Sequence, residues 1–419
     1  MASLALAVRA LRSRNYRLFF GGQSVSLIGT WMTRIATSWL VYRLTGSAAM
    51  LGVVGFANFI PTFILGPVAG VWVDRWNRHR TIVITQILSM VQSLALAVLT
   101  LSGFIRIWEV VLLAIFQGLI NSFDMPARQS FVVEMVEQRE DLGNAIALNS
   151  SMVNAARLLG PAIGGVVIAG VGEGYCFLID GLSYIAVIIS LLLMTLRPAA
   201  PRKAQRHVLV ELSEGWRYIA GSLPIRSILL NLGLVSLVGM PYTVLMPIFA
   251  SQVLHGGPHT LGFLMASSGT GALIGTVLLA MRRSVVGLGR RIAVATALLG
   301  ASLIAFGFSH WTWLSMLILM VVGYGMMQQM ASSNTILQTI VEDEKRGRVM
   351  SFYSVALQGM APFGSLFGGA LAARIGAPHT VMVSGVLCLA GSLWFTRTLP
   401  QIRKVVRPIY MRLGLLPAE

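Results

Sequence analysis

The sequence predicts an all-α integral membrane protein with twelve transmembrane helices in two six-helix halves. Three observations carry that prediction. Of 419 residues, 56% are hydrophobic and 11% are charged, against roughly 25% charged in a soluble domain. Apolar runs recur along the whole chain, each long enough to cross a hydrocarbon layer of roughly 30 Å, which takes about 20 helical residues. Short motifs also repeat at an offset close to half the chain length. The formal charge of +17 would point to nucleic acid in a soluble protein. Here the basic residues gather at the ends of the apolar runs, so no nucleic-acid partner is expected.

The spans of the first half are read at 18–42, 48–73, 81–104, 108–127, 145–170 and 175–196, and those of the second at 224–250, 259–281, 291–309, 311–333, 349–373 and 378–397. The expected divisions are 1–17, an N-terminal cytoplasmic segment; 18–196, the first half; 197–223, a cytoplasmic linker; 224–397, the second half; and 398–419, a cytoplasmic tail. Within the linker, Leu209 to Ala220 is expected to form an amphipathic helix lying on the membrane surface. With the N-terminus inside, twenty-seven of the 32 lysines and arginines fall on the cytoplasmic side, and only Arg43, Arg106 and Arg374 fall outside. That bias predicts both termini in the cytoplasm. Four arginines precede the first apolar run with no cleavage site after a short core, which argues against a signal peptide. Cys176 and Cys388 both lie in spans and suggest neither a disulfide framework nor a metal site.

The halves repeat. Gly160-Pro161-Ala-Ile-Gly164-Gly165 returns as Gly364-Ser365-Leu-Phe-Gly368-Gly369, an offset of 204. Gly29-Thr-Trp-Met and Leu51-Gly52 return as Gly239-Met-Pro-Tyr and Leu261-Gly262, an offset of 210. Parallel halves of this kind are a known transporter plan.

Between the second and third spans lies Gly70-Val-Trp-Val-Asp74-Arg75-Trp-Asn-Arg78-His79-Arg80, a charged hairpin flanked by uncharged runs. Gly70 is expected where the two helices come closest. Asp74 is suited to accept from helix N-terminal amides, and the arginines stay in water. This stretch resembles the loop signature of the major facilitator superfamily, which implies that fold and a transport function without an enzymatic step. As a gate, Asp74 would sit near the start of the eleventh span, around Val349 to Ser354. Arg75 and Arg78 would pair with nearby acids, Asp124 first among them. The bland alternative is a turn that only sets topology.

Gly160-Pro161-Ala-Ile-Gly164-Gly165 in span five combines small residues, which let backbones approach, with a proline that frees a carbonyl and bends a helix. It resembles the helix-bending motif of antiporter-type members of that superfamily, with ordinary small-residue packing as the alternative.

Charged residues inside spans cost about 2.5–3.5 kcal/mol each on insertion scales. Arg34 lies roughly 24 Å from the inner end of span one, Arg157 near the middle of span five, and Asp180 roughly 8 Å deep in span six. Arg34 and Asp180 are therefore at similar depth, and a buried pair between them is one reading. The other is that Arg34 and Arg157 attract an anionic substrate while Asp180 or Asp124 takes up a proton. Asn58 and Gln117 add polar groups to the same half. Many proton antiporters of the superfamily place an arginine four residues before the glycine of an R-x-x-Q-G pattern; here Ala114-Ile-Phe-Gln117-Gly118 lacks it.

Asn15-Tyr-Arg-Leu-Phe-Phe, Trp39-Leu-Val-Tyr-Arg-Leu-Thr-Gly-Ser47, Met125-Pro-Ala-Arg-Gln-Ser130 and Glu214-Gly-Trp-Arg-Tyr218 resemble the bacterial branch that includes the enterobactin exporter. That resemblance implies a monomeric efflux transporter of the bacterial inner membrane, an antiporter moving a siderophore-like or drug-like molecule by alternating access. Membrane lipid is its surroundings and the proton its coupling ion. No cofactor and no metal are expected. A lysophospholipid flippase of the same fold is the alternative within transporters, and a membrane scaffold or receptor is the alternative outside them. No lysine follows a glycine, so a nucleotide-binding phosphate loop is missing. The six histidines form no metal-ligand pattern.

Overall fold

A computed structural model describes residues 9–195, 208–282 and 284–415. All of its regular structure is helical. The long helices are α1 (Arg14–Thr45), α2 (Ala48–Arg75), α3 (Arg78–Leu101), α4 (Ile107–Met135), α5 (Leu142–Val171) and α6 (Glu173–Leu192). After a shorter α7 (Val208–Gly221) come α8 (Leu223–Val253), α9 (Pro258–Ala280), α10 (Leu288–Gly307), α11 (Thr312–Ile340), α12 (Glu344–Ile375) and α13 (Ala377–Arg412). Among the described residues, 11 helices are long and apolar enough to cross a membrane. The remaining long helix, α1, has 32 residues, and Arg14, Arg17, Arg34 and Arg43 lower its apolar content.

The chain forms two units, and their limits depart from the halves read in the sequence. Unit 1 holds Met1–Gly46, Ala57–Ala204 and Gly256–Ala266; unit 2 holds Ser47–Phe56, Gln205–His255 and Ser267–Glu419. The first turns of α2 and of α9 have thus changed units. Glycine contacts show why. In unit 2, a Cβ on Gly52 would stand 2.6 Å from the Ser365 carbonyl and 2.9 Å from Gly369 Cα. In unit 1, a Cβ on Gly262 would stand 2.6 Å from the Pro161 carbonyl and 2.9 Å from Gly165 Cα. Ser365 and Pro161 differ by the same offset of 204 as Gly369 and Gly165, and Gly262 and Gly52 differ by 210. The two contacts are therefore one contact made twice by a repeated sequence. Lipid tails are as apolar as leucine, so close backbone packing of this kind replaces the hydrophobic effect in holding membrane helices together.

In unit 1, α1 packs along α5 and α6, and α3 along α4 and α6. Tyr16, Phe19, Ile82, Phe131, Met135 and Leu191 belong to one of its apolar cores. In unit 2 the corresponding core gathers Ile228, Leu288, Ile292, Leu337, Ile402 and Tyr410. The last two lie on α13, which continues to Arg412 with Leu399, Ile402 and Val406 buried. The expected separate tail from 398 is therefore mostly a packed extension of the last span.

Proline breaks the regular ladder in α8 and α12. Met240 N–H donates to the Val235 carbonyl, a five-residue step just before Pro241, and a widened turn covers Val355–Gly359 before Pro362. By contrast, α5 runs as one α-helix through Pro161.

The amphipathic helix expected on the membrane surface is α7, and it packs against the start of α12. Glu214 pairs with Arg348 at 2.9 Å, the Lys345 ammonium lies 4.6 Å from the Tyr218 ring centre, and a Cβ on Gly215 would meet Phe352 at 3.1 Å. Ile219 is buried by this packing, while Trp216 stays exposed. Residues 197–207 of the expected linker lie outside the described residues.

A substitution checks the glycine packing. A Cβ on Gly323 would run into the Ser268 carbonyl, whereas one on Gly143 would meet nothing within 4 Å. Gly323→Ala is expected to lower the apparent unfolding temperature of the purified protein by several degrees, while Gly143→Ala leaves it unchanged or raises it slightly.

Candidate transport site

The centre of the candidate site is one indole ring. Trp31 projects from the middle of α1, and Arg34 follows three residues later on a neighbouring face of the helix. The Arg34 guanidinium carbon lies 4.5 Å from the centre of the Trp31 ring, and that of Arg157, from α5, lies 5.2 Å from it. Gly160 makes this possible. A Cβ there would collide with Trp31 Cβ and stand 3.0 Å from the Ile28 carbonyl, so only glycine lets α5 settle on the tryptophan. One turn on, a Cβ on Gly164 would stand 2.8 Å from Ile35 and 3.2 Å from Met32 Cα, so this face of α5 is fitted to α1 over two turns.

Arg34 is exposed and makes no ion pair among the described residues. The charge of Arg157 acts directly on it. A cation over tryptophan gains about 0.5–1 kcal/mol when exposed and about 2 when desolvated, below the roughly 2.5–3.5 kcal/mol needed to insert one arginine at mid-membrane. Two like charges on one ring also repel each other. The ring alone does not offset the charge of Arg34, which leaves that guanidinium able to take an anionic group or water.

Asp180 belongs to a different cluster, which corrects the expected Arg34–Asp180 pair. Its carboxylate accepts from Ser93 Oγ at 2.9 Å, and a Cβ on Gly29 would stand 2.8 Å from its Oδ1. Thr30 and Thr33 stand alongside. Gly29 and Thr33, one turn apart on α1, thus mark the face toward Asp180. Arg34 lies five residues further on, about 140° around the helix at about 100° per residue. The depth estimate held the two together, and the helical angle separates them.

Asp124 is likewise engaged elsewhere than expected. Its Oδ1 accepts from Thr85 Oγ1 at 2.7 Å and from Gln86 Nε2 at 2.8 Å, and its Oδ2 pairs with Arg128 one turn away on α4. In the hairpin, Arg78 pairs with Glu134 at 2.5 Å, and Arg75 is exposed. Asp124 is therefore not the partner of Arg75 or Arg78, because Arg128 reaches it within its own helix. Gly70 makes no close approach either, since a Cβ there would meet nothing within 4 Å. The Asp74 side chain lies outside the described residues. Trp72, Trp76 and Phe123 stack beside the hairpin with ring centres 5.8–6.1 Å apart. Gln117 donates to Ser89 and Asn121, at 3.3 and 3.1 Å, and a Cβ on Gly118 would stand 2.5 Å from the Asn58 carbonyl. Asn58 thus lies where α2 packs on α4, and Gln117 faces Ser89 on α3.

The sequence reading missed Trp31, Ser93, Arg128 and Glu134. Two were legible: Arg128 stands four residues after Asp124, and Trp31 stands three before Arg34, both helical-neighbour spacings.

The family described as "Transmembrane secretion effector" matches residues 5–407. The chain belongs to that family, a branch of the major facilitator superfamily. It is a multi-pass membrane transporter and not an enzyme. The staphyloferrin A transporter of Staphylococcus aureus is 26% identical over 385 residues, covering 90% of this chain and 95% of the relative. Macrolide efflux protein A of Streptococcus pyogenes is 23% identical, covering 90% and 95%. A bacterial homologue of the human lysosomal transporter Spinster, solved in an inward-facing and occupied conformation, superposes with a TM-score of 0.72 at 15% identity, covering 93% of this chain and 98% of that one. The latter likeness shows the fold alone.

Double-mutant cycles on thermal stability test the revised pairing. Asp124 and Arg128 are expected to show a clear coupling energy, below the roughly 3–5 kcal/mol lost when a fully buried pair is broken. Asp124 and Arg75 are expected to show none.

Proposed function

We propose that the protein exports a small amphipathic or anionic molecule, siderophore-like or drug-like, across the bacterial inner membrane by alternating access of its two halves. Both termini lie in the cytoplasm, and the hairpin from Gly70 to Arg80 serves as the cytoplasmic gate. The observation that carries this reading is the exposed Arg34 beside Arg157 on the Trp31 ring. An arginine without a carboxylate partner inside a span is a functional residue by default. The relatives named for staphyloferrin A and macrolides support a small-molecule cargo, and the resemblance to the branch that includes the enterobactin exporter supports the outward direction.

The proton is the proposed coupling ion, which makes the protein an antiporter. Asp180 is the group proposed to take it up. Its carboxylate is buried, and the contacts found around it come from hydroxyl groups and a glycine instead of a cation. Asp124, by contrast, is already neutralised by Arg128.

Uptake of candidate compounds into inverted vesicles, with and without an imposed pH gradient, tests both parts. Arg34→Ala is expected to abolish uptake at an unchanged protein level. Asp180→Asn is expected to abolish the response to the pH gradient. Normal uptake by the Arg34 variant would remove the substrate assignment, and gradient-independent uptake by the wild-type protein would remove the proton.

A further inference from the structure

We propose that unit 2 holds an anionic phospholipid of the surrounding bilayer at the first turn of α10, with Arg290 and Arg291 binding its phosphate. This site depends neither on the transported molecule nor on the coupling ion.

Between Gly215 and Val341 the chain has no aspartate or glutamate, yet Arg290 and Arg291 stand in the first turn of α10. Cations at a helix N-terminus oppose the helix dipole, and an anion there is favoured. Neither arginine makes an ion pair among the described residues. Glu342, the first acid to follow, pairs with Lys345 at 2.8 Å. Arg291 is half-buried, and its Nη1 is shut off from solvent without a hydrogen-bond partner. An unpaired guanidinium partly shielded from water attracts an anion more strongly than one in open solvent.

The neighbouring residues favour a lipid as the source of that anion. Val294 is 57% exposed and marks an outward face of α10. It comes four residues after Arg290 and three after Arg291, so the two arginines flank that face one turn nearer the helix start. The helix has 20 residues, about 30 Å, which matches the hydrocarbon layer and sets its first turn at headgroup level. A phosphate at the arginines therefore leaves an acyl chain to run along Val294, an apolar strip of no use to a free phosphate. On the adjoining α13, Leu399 lies 3.1 Å from where a Cβ on Gly289 would stand. Arg403, exposed one turn beyond Leu399 on the same face, brings a third positive charge to this end. Basic clusters at this level are suited to anionic headgroups.

The first half lacks the device. A Cβ on Gly181 would stand 2.6 Å from Leu94, and one on Gly385 2.7 Å from Ile304, so α3 and α10 correspond at an offset of 210. There Arg290 matches Arg80, and Arg291 matches Thr81. Gly118 and Gly323 set the offset between α4 and α11 at 205, where Glu134, the partner of Arg78, matches Thr339. At the same end, unit 2 carries one more arginine and one acid fewer, which leaves the balancing anion to the membrane.

Native mass spectrometry of the purified full-length protein, titrated with dioleoyl-phosphatidylglycerol or dioleoyl-phosphatidylcholine, measures the binding. Phosphatidylglycerol is expected to bind roughly tenfold or more tightly than phosphatidylcholine. Glycerol 3-phosphate and inorganic phosphate are expected not to displace it at equal concentration. Arg290→Gln combined with Arg291→Thr is expected to weaken phosphatidylglycerol roughly tenfold or more. Arg217→Gln, which removes an exposed charge from α7, is expected to leave it unchanged. Unfolding curves verify that each variant is folded. Hydrogen–deuterium exchange of the wild-type protein in nanodiscs of the two lipids locates the site without any variant, with protection by phosphatidylglycerol expected over Leu288–Val294. Equal affinity for the two lipids, displacement by either soluble phosphate, an equal loss in Arg217→Gln, or no added protection over Leu288–Val294 would each overturn the proposal.

Discussion

Membrane helices cannot be held together by expelling water, and this protein relies on backbone-to-backbone contact at glycine. Gly52 against Gly369 and Gly165 against Gly262 are the clearest cases, each with a carbonyl within 2.6–2.8 Å of where a side chain would begin. Gly160 uses the same device against Trp31. The packing constraint and the candidate site therefore share one motif. Within Gly160-Pro161-Ala-Ile-Gly164-Gly165, Gly160 and Gly164 place α5 on α1, and that placement brings Arg157 to the ring that also carries Arg34.

The repeated framework makes the difference between the halves informative. A Cβ on Gly118 would meet the Asn58 carbonyl, and one on Gly323 would meet the Ser268 carbonyl. Asn58 and Ser268 differ by 210 and the glycines by 205, so α4 and α11 are equivalent at that register. At that register Asp124 becomes Gln329 and Arg128 becomes Ser333, while at 204 Asp180 becomes Ser384. All three replacements are buried and neutral. The spans of unit 1 thus carry ionisable groups where those of unit 2 carry amides, hydroxyls and aliphatic side chains. Since each buried charge is costly, their presence in one half alone is what motivates the proposal that the charge-dependent work of transport lies in that half.

Much of the fold was legible because it rests on length and composition. The order of the helices and the repeat follow from uncharged runs and from glycine spacing, whereas α4, α11 and α13 run on past their apolar runs to Met135, Ile340 and Arg412. The site was legible as a set of residue types and only partly as contacts. Depth along a helix can be counted, but the face of a residue depends on which neighbour its helix meets. Arg34 and Asp180 share a depth and not a face. Asp124 has several basic residues within plausible reach, and the one on its own helix wins because it pays no cost of bringing elements together. The amphipathic pattern of α7 does not tell that α12 is one of its neighbours. The exchange of the first turns of α2 and α9 between units was foreshadowed by the matched glycines, whose equal offsets state that they make equivalent contacts.

The central claim is that the ligand is held by the charged half of the molecule, on α1 and α5. Hydrogen–deuterium exchange of the purified protein, compared with and without a compound that inverted vesicles take up, measures this most directly. The account predicts protection concentrated in the peptides spanning Ile28–Ile35 and Asn154–Gly165, with little change around Gln328–Ser333 in α11. Protection confined to α11 and its neighbours in unit 2, with α1 and α5 unaffected, would contradict it.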